Sequence, residues 1–79
     1  MEPNISRIDI IEDYKIKIFY KNGEIRIFNF QPLLDEPFYA KLKDYEYFKK
    51  FKILCNTIYW DDDVDISPED LYENSIKVV

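Results

Sequence analysis

The chain has two runs of alternating apolar and polar residues, one on each side of the dipeptide Asn22-Gly23. Residues 14–21 and 24–30 repeat with a period of two and are rich in isoleucine and phenylalanine, as expected for half-buried strands. Asn-Gly is the preferred central pair of a two-residue hairpin turn, because both residues then adopt φ > 0. The pattern therefore predicts an antiparallel hairpin with residues 22 and 23 as its loop.

A two-residue loop also predicts the register of this hairpin. The facing pairs are then Tyr20 with Ile25, Ile18 with Ile27, and Ile16 with Asn29. One face collects a core set, which consists of Tyr14, Ile16, Ile18, Tyr20, Ile25 and Ile27. The opposite face mixes charged residues with Phe19, Phe28 and Phe30. Three phenylalanines are unusual on a solvated sheet face, so this face is either covered by later helices or is a contact surface for another chain.

Shorter patterns predict the remaining elements. Residues 5–11 form a first strand, and residues 51–55 and 57–60 form two short strands that meet near Asn56. Asp44 is suited to N-cap a helix of about two turns.

Ser67 and Pro68 predict the start of a second helix, over residues 68–74, with Leu71 turned inward. Together the elements predict an α+β fold: an antiparallel sheet of three N-terminal strands, which is a meander containing the Asn-Gly hairpin, plus a short second hairpin and two short helices. We expect residues 1–79 to form a single compact domain.

The chain has no histidine and one cysteine, which excludes several classes of enzyme. Without histidine it cannot build Ser-His-Asp or Cys-His machinery or the HExxH zinc motif. Cys55 fits a small buried hydrophobic residue in a strand better than a nucleophile, since a catalytic thiol needs a base. We therefore expect no catalytic residue, no enzyme activity and no cofactor.

Three further features predict a cytoplasmic protein. A single cysteine cannot form an internal disulfide, and no signal-peptide pattern follows Met1. No apolar run approaches the roughly 20 residues of a membrane helix, so we expect no membrane contact.

The net charge of −5 is concentrated in the C-terminal third, where residues 56–79 hold seven acidic side chains and one basic side chain. Such a field repels nucleic-acid phosphates and favours a basic protein surface, although acidic residues also serve solubility alone. The only concentration of basic residues lies within residues 41–52. It is predicted to be a solvated helix face, with an anion-contacting patch as the alternative. Its members are Lys41, Lys43, Lys49, Lys50 and Lys52.

Residues 61–65 form the one segment that could hold a metal ion. Asp61, Asp63 and Asp65 have the alternate spacing of the first half of a calcium loop. The rest of the motif fails, because Ile66 stands where the sharp turn needs glycine. A different Mg²⁺ or Ca²⁺ site at these three aspartates stays open as an alternative.

An ordered set of short motifs covers nearly the whole chain. They are Asp13-Tyr14-x-Ile16, Lys21-Asn22-Gly23-Glu24, Phe28-Asn29-Phe30, Pro32-Leu33-Leu34, Leu42-x-Asp44-x-x-x-Phe48, and Ile58-x-Trp60 leading to Asp65-Ile66-Ser67-Pro68-x-x-Leu71-Tyr72. In this order they resemble the small bacterial family known as domain of unknown function 2442. The chain departs from the family pattern at residues 61–64, where members often have Asn-Gly, so its loop is more acidic than usual.

The resemblance implies a small α+β domain with no established activity. It also implies an antitoxin-like two-protein module, because family members are often encoded beside another small protein. With the charge pattern, this predicts a non-catalytic acidic interaction module that binds a basic protein partner, or a homo-oligomer. The partner-binding candidates are Phe19, Phe28, Phe30, Asp61, Asp62 and Asp63. The alternative is a metal-binding or metal-dependent protein that uses Asp61, Asp63 and Asp65.

Overall fold

Two small antiparallel sheets and two short helices make up the fold. The computed structural model describes residues 2–61 and 63–79. In chain order the elements are β1 (Ile5–Glu12), β2 (Lys15–Tyr20), β3 (Ile25–Asn29), two 3₁₀ helices (Gln31–Leu33 and Pro37–Lys43), α1 (Tyr45–Phe48), β4 (Lys52–Leu54), β5 (Thr57–Asp61), β6 (Val64–Asp65), α2 (Pro68–Glu73) and β7 (Ile76–Lys77). The first sheet has the order β1-β2-β3-β7 and the second has β4-β5-β6. The predicted α+β fold, with its N-terminal meander and second hairpin, is confirmed.

The β2–β3 hairpin has a loop of three residues rather than two. The amide of Gly23 donates to the carbonyl of Tyr20 at 3.1 Å, and the amide of Tyr20 donates to the carbonyl of Glu24 at 2.9 Å. Gly23 has φ +96°, so the loop is a turn followed by a glycine bulge. The Asn22 side chain supports this longer loop, because its carbonyl accepts from the Glu24 amide at 3.0 Å.

The extra loop residue shifts the predicted register by one position. Ile16 faces Phe28, and Ile18 faces Arg26. Because side chains alternate between the faces of a sheet, this shift moves every residue of β3 to the opposite face from the predicted one. Phe28 and Phe30 are therefore core residues, 4% and 0% exposed. The prediction that they share the sheet face of Phe19 is wrong.

The same shift places Ile25 and Ile27 on the outer face of the sheet, although they were predicted to lie on the core face. Both are partly exposed. Ile27 lies opposite Ile76 of β7, so the outer face becomes apolar toward that edge of the sheet.

The turn between β4 and β5 corrects the prediction for Cys55. Leu54 faces Thr57, so Cys55 and Asn56 form a two-residue loop. Such a turn needs its first residue at positive φ, and Cys55 has φ 51°. Its side chain is exposed rather than buried in a strand. The Cys55 carbonyl accepts from the Ile5 amide at 2.8 Å, which ties the second sheet to the start of β1.

Three aromatic side chains join the two sheets. Phe30 packs edge-on against Phe48 and against Trp60, with ring centroids 5.6 Å apart in each pair. The indole N–H of Trp60 donates to the carbonyl of Phe48 at 2.9 Å, which satisfies its polar atom inside the core. The end of β3, helix α1 and strand β5 thus meet at one buried cluster.

Both helix caps follow the predictions. The Asp44 side chain accepts from the Glu46 amide, although α1 has a single turn rather than two. The Ser67 hydroxyl accepts from the Asp70 amide at 3.1 Å and caps α2. Leu71 turns inward and is fully buried.

Strand β7 was not predicted, because two residues are too few to show a period. A half-buried polar cluster holds it against β3. Arg26 lies 3.0 Å from Glu24 and donates through Nε to the Ser75 hydroxyl at 2.6 Å. The Tyr72 hydroxyl also donates to Glu24, and its ring packs under the Arg26 guanidinium.

Gly23→Ala is expected to lower the free energy of unfolding by about 1 kcal/mol, because φ +96° is unfavourable for a residue with a Cβ. No atom lies within 4 Å of the added Cβ, so the loss is purely conformational. Urea unfolding measures it, with Lys21→Ala in the same loop as the control. An unchanged midpoint for Gly23→Ala would show that residue 23 does not need its positive φ.

The Glu24 carboxylate is expected to stabilise the fold only above acidic pH. The hydrogen bond from Tyr72 is the main cause of its lowered pKa, followed by that from Asn22. A lowered folded-state pKa adds stability above the unfolded value of about 4.3, and this is lost as pH falls through the folded value.

Glu24→Gln should therefore lower the urea midpoint at pH 7 and converge on the wild type in acid. Glu73→Gln, an exposed change, is the control. A Glu24→Gln deficit that is equal at pH 7 and pH 3 would contradict a charge-dependent role.

Candidate partner-binding groove

A cleft of about 400 Å³ opens between the end of β3, the two 3₁₀ helices and α2. We call it the Tyr39 groove. Buried Phe28 and Ile66 form part of its lining. The remaining lining residues are Asn29, Pro32, Leu33, Glu36, Tyr39, Asp70 and Asn74. Its size is within the range of small ligand-binding clefts.

Local sequence signals shape the walls of the groove. The Asn29 side chain accepts from the Gln31 amide at 3.0 Å and turns the chain out of β3 into the first 3₁₀ helix. Pro37 starts the second 3₁₀ helix. On the opposite wall, the Ser67 cap sets the start of α2, so that Asp70 and Asn74, four residues apart, face the same side.

The Tyr39 groove is electrostatically negative. Burial raises the pKa of the half-buried Tyr39 hydroxyl, and the carboxylates of Asp70, Asp65 and Glu36 raise it further. All three carboxylates are exposed. Within residues 2–61 and 63–79, none of them forms an ion pair with a lysine or arginine.

This arrangement suits a cationic group. A lysine or arginine side chain entering the groove would meet unpaired carboxylates and the face or edge of an aromatic ring. The Tyr39 hydroxyl stays protonated at neutral pH, so it can donate a hydrogen bond there but cannot act as a base.

The predicted site at residues 61–65 is organised differently. Asp61 closes its own loop, because its Oδ1 accepts from the amides of Asp63 at 2.8 Å and Val64 at 3.1 Å. Its Oδ2 accepts from the Tyr47 hydroxyl, and this hydrogen bond is the main cause of the lowered Asp61 pKa. Burial and this bond raise the pKa of Tyr47 to about 12. Asp61 is therefore occupied by a structural role.

Asp61 and Asp63 lie near a lysine rather than in a metal-binding cluster. Lys41 lies 3.9 Å from both Asp61 and Asp63. Across the described ranges 2–61 and 63–79, no three His, Cys, Asp or Glu side chains are grouped as a metal ion would require. Asp62 lies outside the described residues.

The three phenylalanines proposed as a contact surface occupy three different places. Phe19 lies on the outer face, where the Arg7 guanidinium covers its ring at 4.2 Å. Phe28 lines the Tyr39 groove, and Phe30 is in the core. Only Phe28 contributes to the groove.

The basic residues are partly neutralised by neighbours. Besides Lys41, Lys49 lies 3.0 Å from Glu46. The ammonium of Lys52 sits 5.9 Å from the Tyr59 ring. These contacts agree with a solvated surface.

Sequence reasoning missed the three groove residues Glu36, Tyr39 and Asp70. They come from segments about thirty residues apart, so no local spacing links them. The acidic excess of the C-terminal third was the one signal that pointed toward this side of the molecule.

A family comparison agrees with the fold. The family described as "Protein of unknown function (DUF2442)" matches residues 5–77. The chain belongs to this family. No curated protein and no solved structure matches it. In the described part of this DUF2442 chain, no helix has both the length and the apolar character needed to cross a membrane.

Tyr47→Phe is expected to raise the pKa of the Asp61 carboxyl toward its ordinary value, because it removes the hydrogen bond that lowers it most. An NMR titration of the Asp61 carboxyl carbon measures this change. Tyr59→Phe, on the same strand as Asp61, is the control. An Asp61 titration that Tyr47→Phe leaves unchanged would contradict the structural role of this pair.

Proposed function

We propose that this chain is a non-catalytic interaction module that binds a basic segment of a protein partner in the Tyr39 groove. The observation that carries the proposal is the set of unpaired carboxylates, Glu36, Asp65 and Asp70, around a half-buried tyrosine. A lysine or arginine of the partner gains charge-assisted hydrogen bonds there and relieves the repulsion between the carboxylates.

The titratable groups support a role without catalysis. General acids and bases work best with a pKa near the operating pH. The clear shifts here move away from neutrality, since the pKa of Tyr20 and of Tyr47 rises to about 12, whereas the pKa of Glu24 and of Asp61 falls. The single thiol lies exposed in a turn, and the sequence supplies no histidine to activate it.

We propose that binding inhibits the partner, as an antitoxin does. A small domain with an acidic groove can occupy a basic surface on its partner and block access to it. Such a partner would use that surface to bind a negatively charged substrate, for example a nucleic acid. The negative electrostatic field of this chain mimics that substrate.

A metal-dependent function has no comparable support. Asp61 already accepts hydrogen bonds from a backbone amide and from Tyr47, and the Asp65 carboxylate contributes to the raised pKa of Tyr39.

The test compares partner capture by three forms of the chain. The groove variant carries Glu36→Gln and Asp70→Asn, and the matched control carries Asp35→Asn and Glu69→Gln. Each removes two negative charges, and the control positions adjoin the groove residues without lining the groove. Circular dichroism establishes that all three are folded.

We expect quantitative mass spectrometry of captured proteins to find one partner with the wild type and with the control, and at least tenfold less of it with the groove variant. The captured partner should also be released by salt, as expected for charge pairing. Equal capture by all three forms would refute the proposal. Equal loss from both variants would show that net charge, and not the groove, decides binding.

A further inference from the structure

A second cleft, of about 440 Å³, adjoins the Tyr39 groove. We call it the Ile76 cleft. Asn29, Pro32 and Asn74 line both clefts. The other lining residues of the Ile76 cleft are Lys15, Ile27 and Ile76. The two clefts are therefore neighbours, and together they reach from Tyr39 to the outer face of the first sheet; we call the pair the extended groove.

The far end of this groove carries an exposed aliphatic surface. Ile27 faces Ile76 across the β3–β7 pair, and the Ile76 side chain is 72% exposed. Val78, which follows on the same edge, is 52% exposed and bonds through its amide to the Ile25 carbonyl. Adjacent exposed aliphatic side chains on a small domain are typical of a protein-binding surface.

The two ends differ in charge as well as in polarity. Glu36 and Asp70 line the Tyr39 end, and Lys15 lines the Ile76 end, where it lies 3.6 Å from Glu12. The groove thus presents unpaired negative charge at one end only. This asymmetry gives a bound segment a preferred direction.

We propose that a single segment of the partner fills both clefts, with a lysine or arginine beside Tyr39 and an aliphatic side chain packed against Ile27 and Ile76. This inference rests on the proposed function and specifies the partner's recognition sequence. The clefts have the volume of about thirteen and about fifteen water molecules, which is enough for a side chain together with its backbone. A second copy of this chain is a poorer occupant, because its net charge of −5 opposes self-association at an acidic groove.

The test selects peptides from a phage-displayed library of random dodecapeptides on the immobilised full chain. The binding of the best synthetic peptide is then measured by calorimetry to the wild type and to four variants. Asp70→Asn and Ile76→Thr change the two ends of the groove. Glu69→Gln, in the same helical turn as Asp70, and Ile11→Thr, at the opposite edge of the sheet, are the matched controls.

We expect selected peptides to combine a lysine or arginine with an aliphatic residue at a constant spacing. Asp70→Asn and Ile76→Thr should each weaken binding at least tenfold, and each control should change it less than twofold. Ile76→Thr keeps a β-branched residue at an exposed position, so the strand is retained.

The outcomes separate this inference from the proposed function. Sensitivity to Asp70→Asn without sensitivity to Ile76→Thr overturns the two-cleft segment and leaves binding at Tyr39 intact. Insensitivity to Asp70→Asn overturns both. The absence of any selected peptide, or self-association of the free chain that Ile76→Thr abolishes, overturns the two-cleft segment.

Discussion

The conformation of the Lys21-Asn22-Gly23 loop sets the register of β3 against β2, and the core and the groove depend on that register. A third loop residue, closed by Gly23 at φ +96° and by the Asn22 side chain, shifts β3 by one position against β2. That shift turns Phe28 and Phe30 inward and Ile25 and Ile27 outward. Phe30 can then meet Phe48 and Trp60, so the contact that joins the two sheets depends on the loop. Asn29 and Ile27 reach the groove for the same reason.

Local signals sufficed for much of this fold, since the Asn-Gly pair predicts a hairpin and Ser67-Pro68 predicts a helix start from neighbouring residues alone. The register was not predictable in this way, because Asn-Gly fits a two-residue turn and also a three-residue loop with a glycine bulge. Burial decides between them, because the longer loop buries both Phe28 and Phe30, and Phe30 then packs against Phe48 and Trp60. Cys55 was misplaced because its position as the first residue of a two-residue turn, and not its hydrophobicity, sets its exposure.

Two groups of acidic residues in this chain have different roles. Glu24 and Asp61 are engaged by tyrosine hydroxyls and neighbouring donors, so their charge holds β7 and the 61–65 loop in place. Glu36, Asp65 and Asp70 raise the pKa of Tyr39 and have no cationic partner among the described residues. Composition alone could not separate these groups, because the distinction depends on contacts between distant segments. It also moves the candidate surface from the aspartate run to a groove that the sequence did not reveal.

The β2–β3 register is the most direct test of this account, because the core and the groove both depend on it. The Tyr20–Glu24 and Tyr14–Phe30 hydrogen bonds make Lys17–Ile27 and Lys15–Asn29 non-hydrogen-bonded pairs, whose Cα atoms approach to about 4.5 Å. A nuclear Overhauser spectrum of the labelled chain should therefore show strong Hα–Hα contacts between Lys17 and Ile27 and between Lys15 and Asn29. Hα–Hα contacts between Ile18 and Ile27, or between Ile16 and Asn29, which are the non-hydrogen-bonded pairs of the other register, would establish the two-residue loop and contradict the account.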